Sequence, residues 1–314
     1  MNWPMESQRK NYGKALVELG KRRKDVVVLD ADLSGSTRTV EFKSAFTERF
    51  FNCGIAEQNM MGTAAGLAVG GMTVFASTFA VFATGRAYDQ VRQSIAYPDL
   101  NVKIVASHAG ITVGGDGASH QTMEDIALMN AIPNMTVVTP ADGPETYRAV
   151  LAVAERHGPA YVRMGRSDVP VVTSKDDSFE IGKASVLREG SDVAIVGVGQ
   201  MVAPCLEAAE ALMAKGISAR VINLSTIKPL DTATLIKAAR DCGAMVTAEE
   251  HNIVSGAGTL VAAALAEACP TPMERVAMQD MFGQSGESDE LMREYGLSQK
   301  EVLAAAIKVM ERKK

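Results

Sequence analysis

Phe50-Phe-Asn-Cys-Gly-Ile-Ala-Glu-Gln-Asn-Met-Met-Gly-Thr-Ala-Ala-Gly-Leu-Ala-Val-Gly-Gly71 is the stretch around which the chain is organised. An aromatic lead turns at Cys53-Gly54, and Glu57 then heads a run of small residues that reads as a helix. An acid in a first helical turn suits the helix dipole, and that alone would explain it. Yet Ala56, Met60, Met61, Ala64 and Ala65 make its surroundings apolar. A carboxylate is costly to bury there unless something accepts its charge or its proton.

Outward from this helix the chain alternates. Gln8–Gly20 places Tyr12, Ala15, Leu16 and Leu19 on one helical face. The β-branched strand Val26–Leu29 ends in the polar loop Asp30-Ala-Asp-Leu-Ser-Gly-Ser36. Further strands are expected at Thr73–Ala76, Val102–Ala106, Thr136–Thr139 and Ala160–Arg163, with helices at Arg86–Ile95, Glu124–Asn130 and Pro144–Glu155. Strands alternating with helices predict an α/β fold on a parallel sheet covered on both faces, and ligands of such sheets sit beyond the strands' carboxyl ends. Ser167–Phe179 is polar and reads as a linker. A smaller α/β unit follows, with strands at Asp192–Val196, Ala219–Asn223, Ala244–Thr247 and Glu274–Ala277, and helices at Met201–Lys215, Asp231–Cys242, Gly256–Ala268 and Ser298–Arg312. The expected division is residues 1–170, a linker at 171–180, and residues 181–314.

A chain of 314 residues, 47% hydrophobic, can bury one large core or two ordinary ones. A net charge of −5 without a basic stripe argues against nucleic acid as a partner. Cys53, Cys205, Cys242 and Cys269 lack paired spacing and read as reduced thiols of a cytoplasmic protein rather than a disulfide frame or zinc site. The start is no signal peptide, and the Gly- and Ala-rich run from Met60 to Val81 is no membrane span.

The polar groups at strand ends and loops of the first unit are Asp30, Asp32, Ser36, Glu57, Arg86, His108, Asp116, His120 and Arg166. Two of the four histidines share the loop Ser107–Gln121 with Asp116 between them, at a spacing that does not suit zinc on a helix. Gly114-Gly-Asp-Gly117 permits close ligand approach or makes a plain turn. Arg86 and Arg166 are candidates for gripping a phosphate, or for surface ion pairs. Phe79 and Phe82 either pack the core or stack on a flat ring.

Four blocks carry a resemblance: Gly54-Ile-Ala-Glu-Gln-Asn59, Ser77-Thr-Phe-Ala-Val-Phe82, Arg86-Ala-Tyr-Asp-Gln90 and Gly115-Asp-Gly-Ala-Ser-His-Gln121. Together they resemble the transketolase family of thiamine diphosphate enzymes, from end to end of the chain. The resemblance implies a pyrimidine-binding domain followed by a transketolase C-terminal domain. In the family a further amino-terminal domain holds the diphosphate through Mg²⁺ or Ca²⁺, by a Gly-Asp-Gly and a following Asn-rich stretch. Here Gly115-Asp-Gly117 belongs to the histidine loop and no such Asn pair follows. The chain therefore resembles the C-terminal subunit of a split transketolase. A separate N-terminal subunit would supply metal and diphosphate site, in an assembly of two copies of each chain.

The resemblance also implies roles. Glu57 is the protonated carboxyl beside the aminopyrimidine, favouring the imino form that activates the cofactor. Phe82, with Phe79 beside it, stacks on that ring, and Asp32 and Ser36 lie near cofactor and substrate. Asp116 contacts a donor hydroxyl, and His120 lies near the reacting hydroxyls as a catalytic group. Arg9, His108 and Arg166 grip the phosphate end of a sugar phosphate. No metal ligand is assigned to this chain. Asn59 stands where the family commonly has His, and Gly85 where transketolases have an aromatic. Arg86-Ala-Tyr-Asp-Gln90 is closer to deoxyxylulose-phosphate synthase, whose arginine holds substrate phosphate, whereas His108 is transketolase-like. The fuller phosphate-end match favours a transketolase transferring a two-carbon ketol unit in sugar-phosphate metabolism of the pentose phosphate type. The alternatives are a synthase-like or 2-oxoacid dehydrogenase beta-like subunit, or a non-catalytic paralogue. His157 reads as a surface residue, and Glu249-Glu-His251 as a solvated strand end or, alternatively, an interface. Met60, Met61 and Met72 read as packing.

Overall fold

The computed structural model describes residues 2–313; Met1 and Lys314, the outer limits of the two expected units, lie outside the described residues. Seven strands form the larger sheet, in the spatial order Thr226–Lys228, Thr136–Val138, Ala160–Arg163, Val102–Ser107, Thr73–Phe79, Val26–Asp30 and Phe50–Asn52. All pairings are parallel except that of Thr226–Lys228. Val26 and Val28 join one core with Tyr12, Leu16, Phe75 and Val105, under the helices Gln8–Arg22 and Gly143–Glu155. Val27 and Leu29 point the other way, into a core with Met60, Met61, Val74 and Ile104. Two buried faces explain why these strands read as unbroken apolar runs rather than alternating ones. Each fully buried aliphatic side chain contributes roughly 1.5–3 kcal/mol, so two-sided packing holds the strands more than local propensity does.

The smaller sheet has the order Met273–Met278, Met245–Asn252, Val193–Gly197, Ala219–Asn223 and Ser185–Arg188, with only the last strand antiparallel. A two-stranded ladder joins Met5–Glu6 to Val169–Pro170. No helix among the described residues is long and apolar enough to cross a membrane.

The structure departs from the sequence reading in four places. Thr226–Lys228, from the second half of the chain, pairs with Thr136–Val138, so the larger sheet takes a strand from beyond the linker. Three residues offer too little periodicity to reveal this. The linker is tied down: Val172 and Thr173 donate their N–H groups to Asp142 at 2.8 and 2.7 Å. The helix expected at Arg86–Ile95 begins earlier and is overwound, with π turns at Phe82–Arg86 and Val91–Ala96. Finally, Met245–Asn252 runs on past Thr247, and Glu249, Glu250 and His251 are buried rather than solvated.

Candidate functional site

The parallel register brings the polar strand ends together. Asp30 lies opposite both Asn52 and Ser77, and Phe79 opposite Ser107. Asp30 is fully buried and shapes the loop behind it. Its carboxylate accepts from Leu33 N at 2.6 Å, Thr37 Oγ1 at 2.7 Å and Thr39 Oγ1 at 2.9 Å. Burial pushes this carboxyl above the usual carboxylate range, against the pull of those bonds. Asp32 has φ +64°, faces solvent, and accepts from Asn52 Nδ2 at 2.8 Å.

Glu57 begins the helix Glu57–Val69 in the first-turn position that the dipole favours. Its side chain is 1% exposed and is held by Arg86, itself 48% exposed, with Arg86 Nη1 donating to Glu57 Oε2 at 2.8 Å. The Arg86 guanidinium also lies 4.4 Å from the centre of the Phe82 ring. A buried acid, a flat donor and an aromatic face are thus in line. The sequence assigns Arg86 to a substrate phosphate; the structure places it on Glu57. The π turn at Phe82–Arg86 sets Phe82 and Arg86 on this side, a local distortion often found at functional sites.

Aromatic rings continue the line. Phe79 and Phe82 stack with centres 5.9 Å apart, His108 stacks on Phe79 at 3.7 Å, and His120 meets Phe82 edge-on at 5.5 Å. Ser107 Oγ bonds His108 Nδ1 at 2.9 Å, and Ser119 Oγ bonds His120 Nδ1 at 2.9 Å. Burial lowers His108 to about 3, helped by the charges of Arg9, Arg166 and His120, so its imidazole is neutral at ordinary pH.

Arg9, Arg166 and Ser36 are one group. Arg9 donates to the Ser36 carbonyl at 2.9 Å and to the Arg166 carbonyl at 2.6 Å, and Arg166 donates to the Val113 carbonyl at 2.6 Å. Burial lowers the Arg9 pKa, and the like charges of Arg38 and Arg166 lower it further. Crowded guanidiniums repel one another, and an anion between them relieves the repulsion. Asp116 closes the turn Ile111–Asp116 and is exposed beside the two histidines' loop. Among the described residues there is no cluster of three or more His, Cys, Asp or Glu suited to a metal.

The family models decide between the readings of this line of groups. The model of the transketolase pyrimidine-binding domain matches residues 6–172, and that of the transketolase C-terminal domain matches residues 182–302. The chain belongs to the transketolase family. It is 49% identical over 312 residues to a putative transketolase C-terminal section of Methanocaldococcus jannaschii, covering 98% of this chain and 97% of that one. It is 41% identical over 319 residues to a 6-deoxy-6-sulfo-D-fructose transketolase subunit of a Clostridium species, covering 100% and 99%. Among solved structures, a split-gene transketolase described as an inactive beta4 tetramer superposes with a TM-score of 0.92 at 52% identity, over 99% of this chain and 100% of that one. The transketolase fold and the thiamine diphosphate dependence of the family come with this membership.

Sequence reasoning missed several residues around the transketolase site. Arg38, at φ +69°, brings a third guanidinium near Arg9; its left-handed backbone left no signal in the sequence. Thr112, Gln200 and Ser288 bond one another or Glu250 behind the histidine loop. Only the length of the Met245–Asn252 strand, misread as four residues, would have pointed there. His157 is exposed, as read.

Proposed function

We propose that this chain is the C-terminal half of a two-subunit, thiamine diphosphate-dependent transketolase that moves a two-carbon ketol unit between sugar phosphates. The observation that carries the reading is the Glu57–Arg86–Phe82 line. An acid buried at a helix head, with its oxygen aimed at a flat donor stacked on a phenyl ring, fits the needs of an aminopyrimidine. Glu57, Phe79, Phe82 and Asp32 would hold that end of the cofactor. Thiamine diphosphate supplies the electron sink for breaking and making the carbon–carbon bond beside a ketose carbonyl.

This chain's own residues do the rest. Glu57 holds and lends a proton at its carboxyl oxygen, where a Gln could only hydrogen-bond. Arg86 must leave Glu57 and Phe82 for the cofactor to enter, so it acts as a stand-in in the free chain. His120 accepts or donates at a substrate hydroxyl, and Asp116 orients another. Neutral His108 offers hydrogen bonds without adding charge, while Arg9 and Arg166, with Ser36, bind the anionic end of the sugar. Positions so divided suit a substrate that is polar along its length and charged at one end. A partner subunit carrying the diphosphate-binding domain holds the Mg²⁺ or Ca²⁺ in this reading, and two copies of each chain assemble in the cytoplasm.

Arg86 was the residue that spoke for deoxyxylulose-phosphate synthase, and its pairing with Glu57 weakens that alternative. The test is reconstitution with the diphosphate-domain subunit, cofactor and Mg²⁺. Xylulose 5-phosphate plus ribose 5-phosphate should turn over, and pyruvate plus an aldehyde phosphate should not. A 6-sulfo ketose belongs in the same assay, because a relative's name specifies one. Full activity of this chain alone would refute the two-subunit reading.

A further inference from the structure

The strand end Glu249-Glu250-His251 takes no part in the chemistry above, yet all three side chains are buried. A buried carboxylate is tolerated only where it is paired or well hydrogen-bonded. Glu249 is satisfied within its own unit, accepting from Ala257 N at 2.7 Å and Gly258 N at 2.8 Å at the head of the helix Ala257–Ala268. Glu250 points the other way, across the seam. Its Oε1 accepts from Thr112 N at 2.7 Å and Thr112 Oγ1 at 2.8 Å, and its Oε2 accepts from Gln200 Nε2. Arg163 backs it, with Nη2 donating to the Glu250 carbonyl and Nε to Asp125 Oδ2, each at 2.8 Å. Gly110, at φ +84°, leaves the room: a Cβ there would overlap the Glu250 carboxyl.

Thr112 sits in the loop between His108 and Asp116. That loop has little ladder of its own, and its polar groups look to the second unit. Ser288 Oγ donates to the Thr112 carbonyl at 2.9 Å, Gln121 Nε2 donates to the Gln284 carbonyl at 2.9 Å, and Asn252 N donates to the Met123 carbonyl at 2.7 Å. Glu250 supplies the only charge in this set, and charge-assisted bonds are about twice as strong as neutral ones.

We propose that Glu250 is a positioning residue for the sugar-binding loop, acting through Thr112, so that the C-terminal unit sets where His108, Asp116 and His120 stand. This rests on the assignment of that loop to substrate in the proposed function. Glu250 itself touches neither cofactor nor substrate. A misplacement of about 1 Å in such a loop costs up to about a hundredfold in rate.

The test compares Glu250→Gln with Glu249→Gln, an equally buried acid of the same strand that faces its own unit. In the full chain, amide exchange of residues 111–121 should quicken about tenfold in Glu250→Gln, whereas Glu249→Gln leaves those amides at wild-type rates. In the reconstituted complex, the donor KM of Glu250→Gln should rise about tenfold while thiamine diphosphate affinity holds, a split that general destabilisation does not produce. Should Glu250→Gln fail to fold, Thr112→Val, which removes one of the two bonds to Oε1, carries the same two readouts. Unchanged exchange at 111–121 overturns the tether. Faster exchange with an unchanged donor KM overturns the positioning role. Loss of all transketolase activity in the wild-type complex would overturn the proposed function while leaving the exchange result to judge the tether.

Discussion

Arg86→Ala should tighten the binding of thiamine diphosphate to the reconstituted enzyme. In the free chain Arg86 makes two contacts that a cofactor ring must displace: the 2.8 Å bond to Glu57 and the 4.4 Å stack on Phe82. The arginine side chain is 48% exposed, so its ion pair ranks with surface pairs, at about 0.2–1 kcal/mol, rather than with buried ones. The guanidinium over a half-buried ring adds about 0.5–1 kcal/mol. Together the competitor is worth roughly 1–2 kcal/mol, which converts to about a five- to thirtyfold lower Kd once it is removed. Titration calorimetry of the cofactor into wild-type and Arg86→Ala complexes reads this directly. The free variant chain should also melt lower, because Glu57 is left buried without a partner. An unchanged or weaker Kd would refute the stand-in role. A raised donor KM with unchanged cofactor affinity would instead return Arg86 to a substrate phosphate, where the sequence first put it.

Two other changes probe the frame of the site. His108 has an ordinary value of 6.5 and is lowered to about 3 by burial and by neighbouring cations. Between those values the unfolded chain binds a proton that the folded chain refuses, so stability falls as pH drops, at up to about 1.4 kcal/mol per pH unit. His108→Asn should flatten the acid side of a melting-temperature profile between about pH 6 and pH 4; an unaltered profile contradicts the assignment. Gly110→Ala places a Cβ against the Glu250 carboxyl at a left-handed φ, and should cost about 2 kcal/mol or more in denaturant unfolding; a neutral result would mean that the loop is not held there.

Most of the fold was legible because its strands are buried on both faces. Val26–Asp30 and Val102–Ser107 announce themselves as apolar runs closed by polar loops, and the register then brings Asp30, Phe79 and His108 to one end of the sheet. What escaped was short or locally irregular. Thr226–Lys228 is too brief to show a period, and its partner lies across the linker. The π turn at Phe82–Arg86 shifts a side chain by an amount that no helical wheel anticipates, which is why Arg86 faces Glu57. The Glu249-Glu250-His251 end looked solvated because charge normally marks surface. Its burial depends on Thr112, Gln200 and Arg163, groups far away in the chain and invisible to local reading. At the site, the residue types were readable, but their sharing of partners was not.

The most direct measurement is steady-state turnover of Glu57→Gln in the complex with the diphosphate-domain subunit, alongside sedimentation to confirm assembly. Glu57 lies in the chain's most sheltered acid position beside an aromatic face, and Gln matches its shape while being unable to lend a proton. The account predicts a loss of about 10²–10⁴-fold in kcat with an unaltered assembly. Turnover within a few-fold of wild type in a fully assembled complex would contradict it.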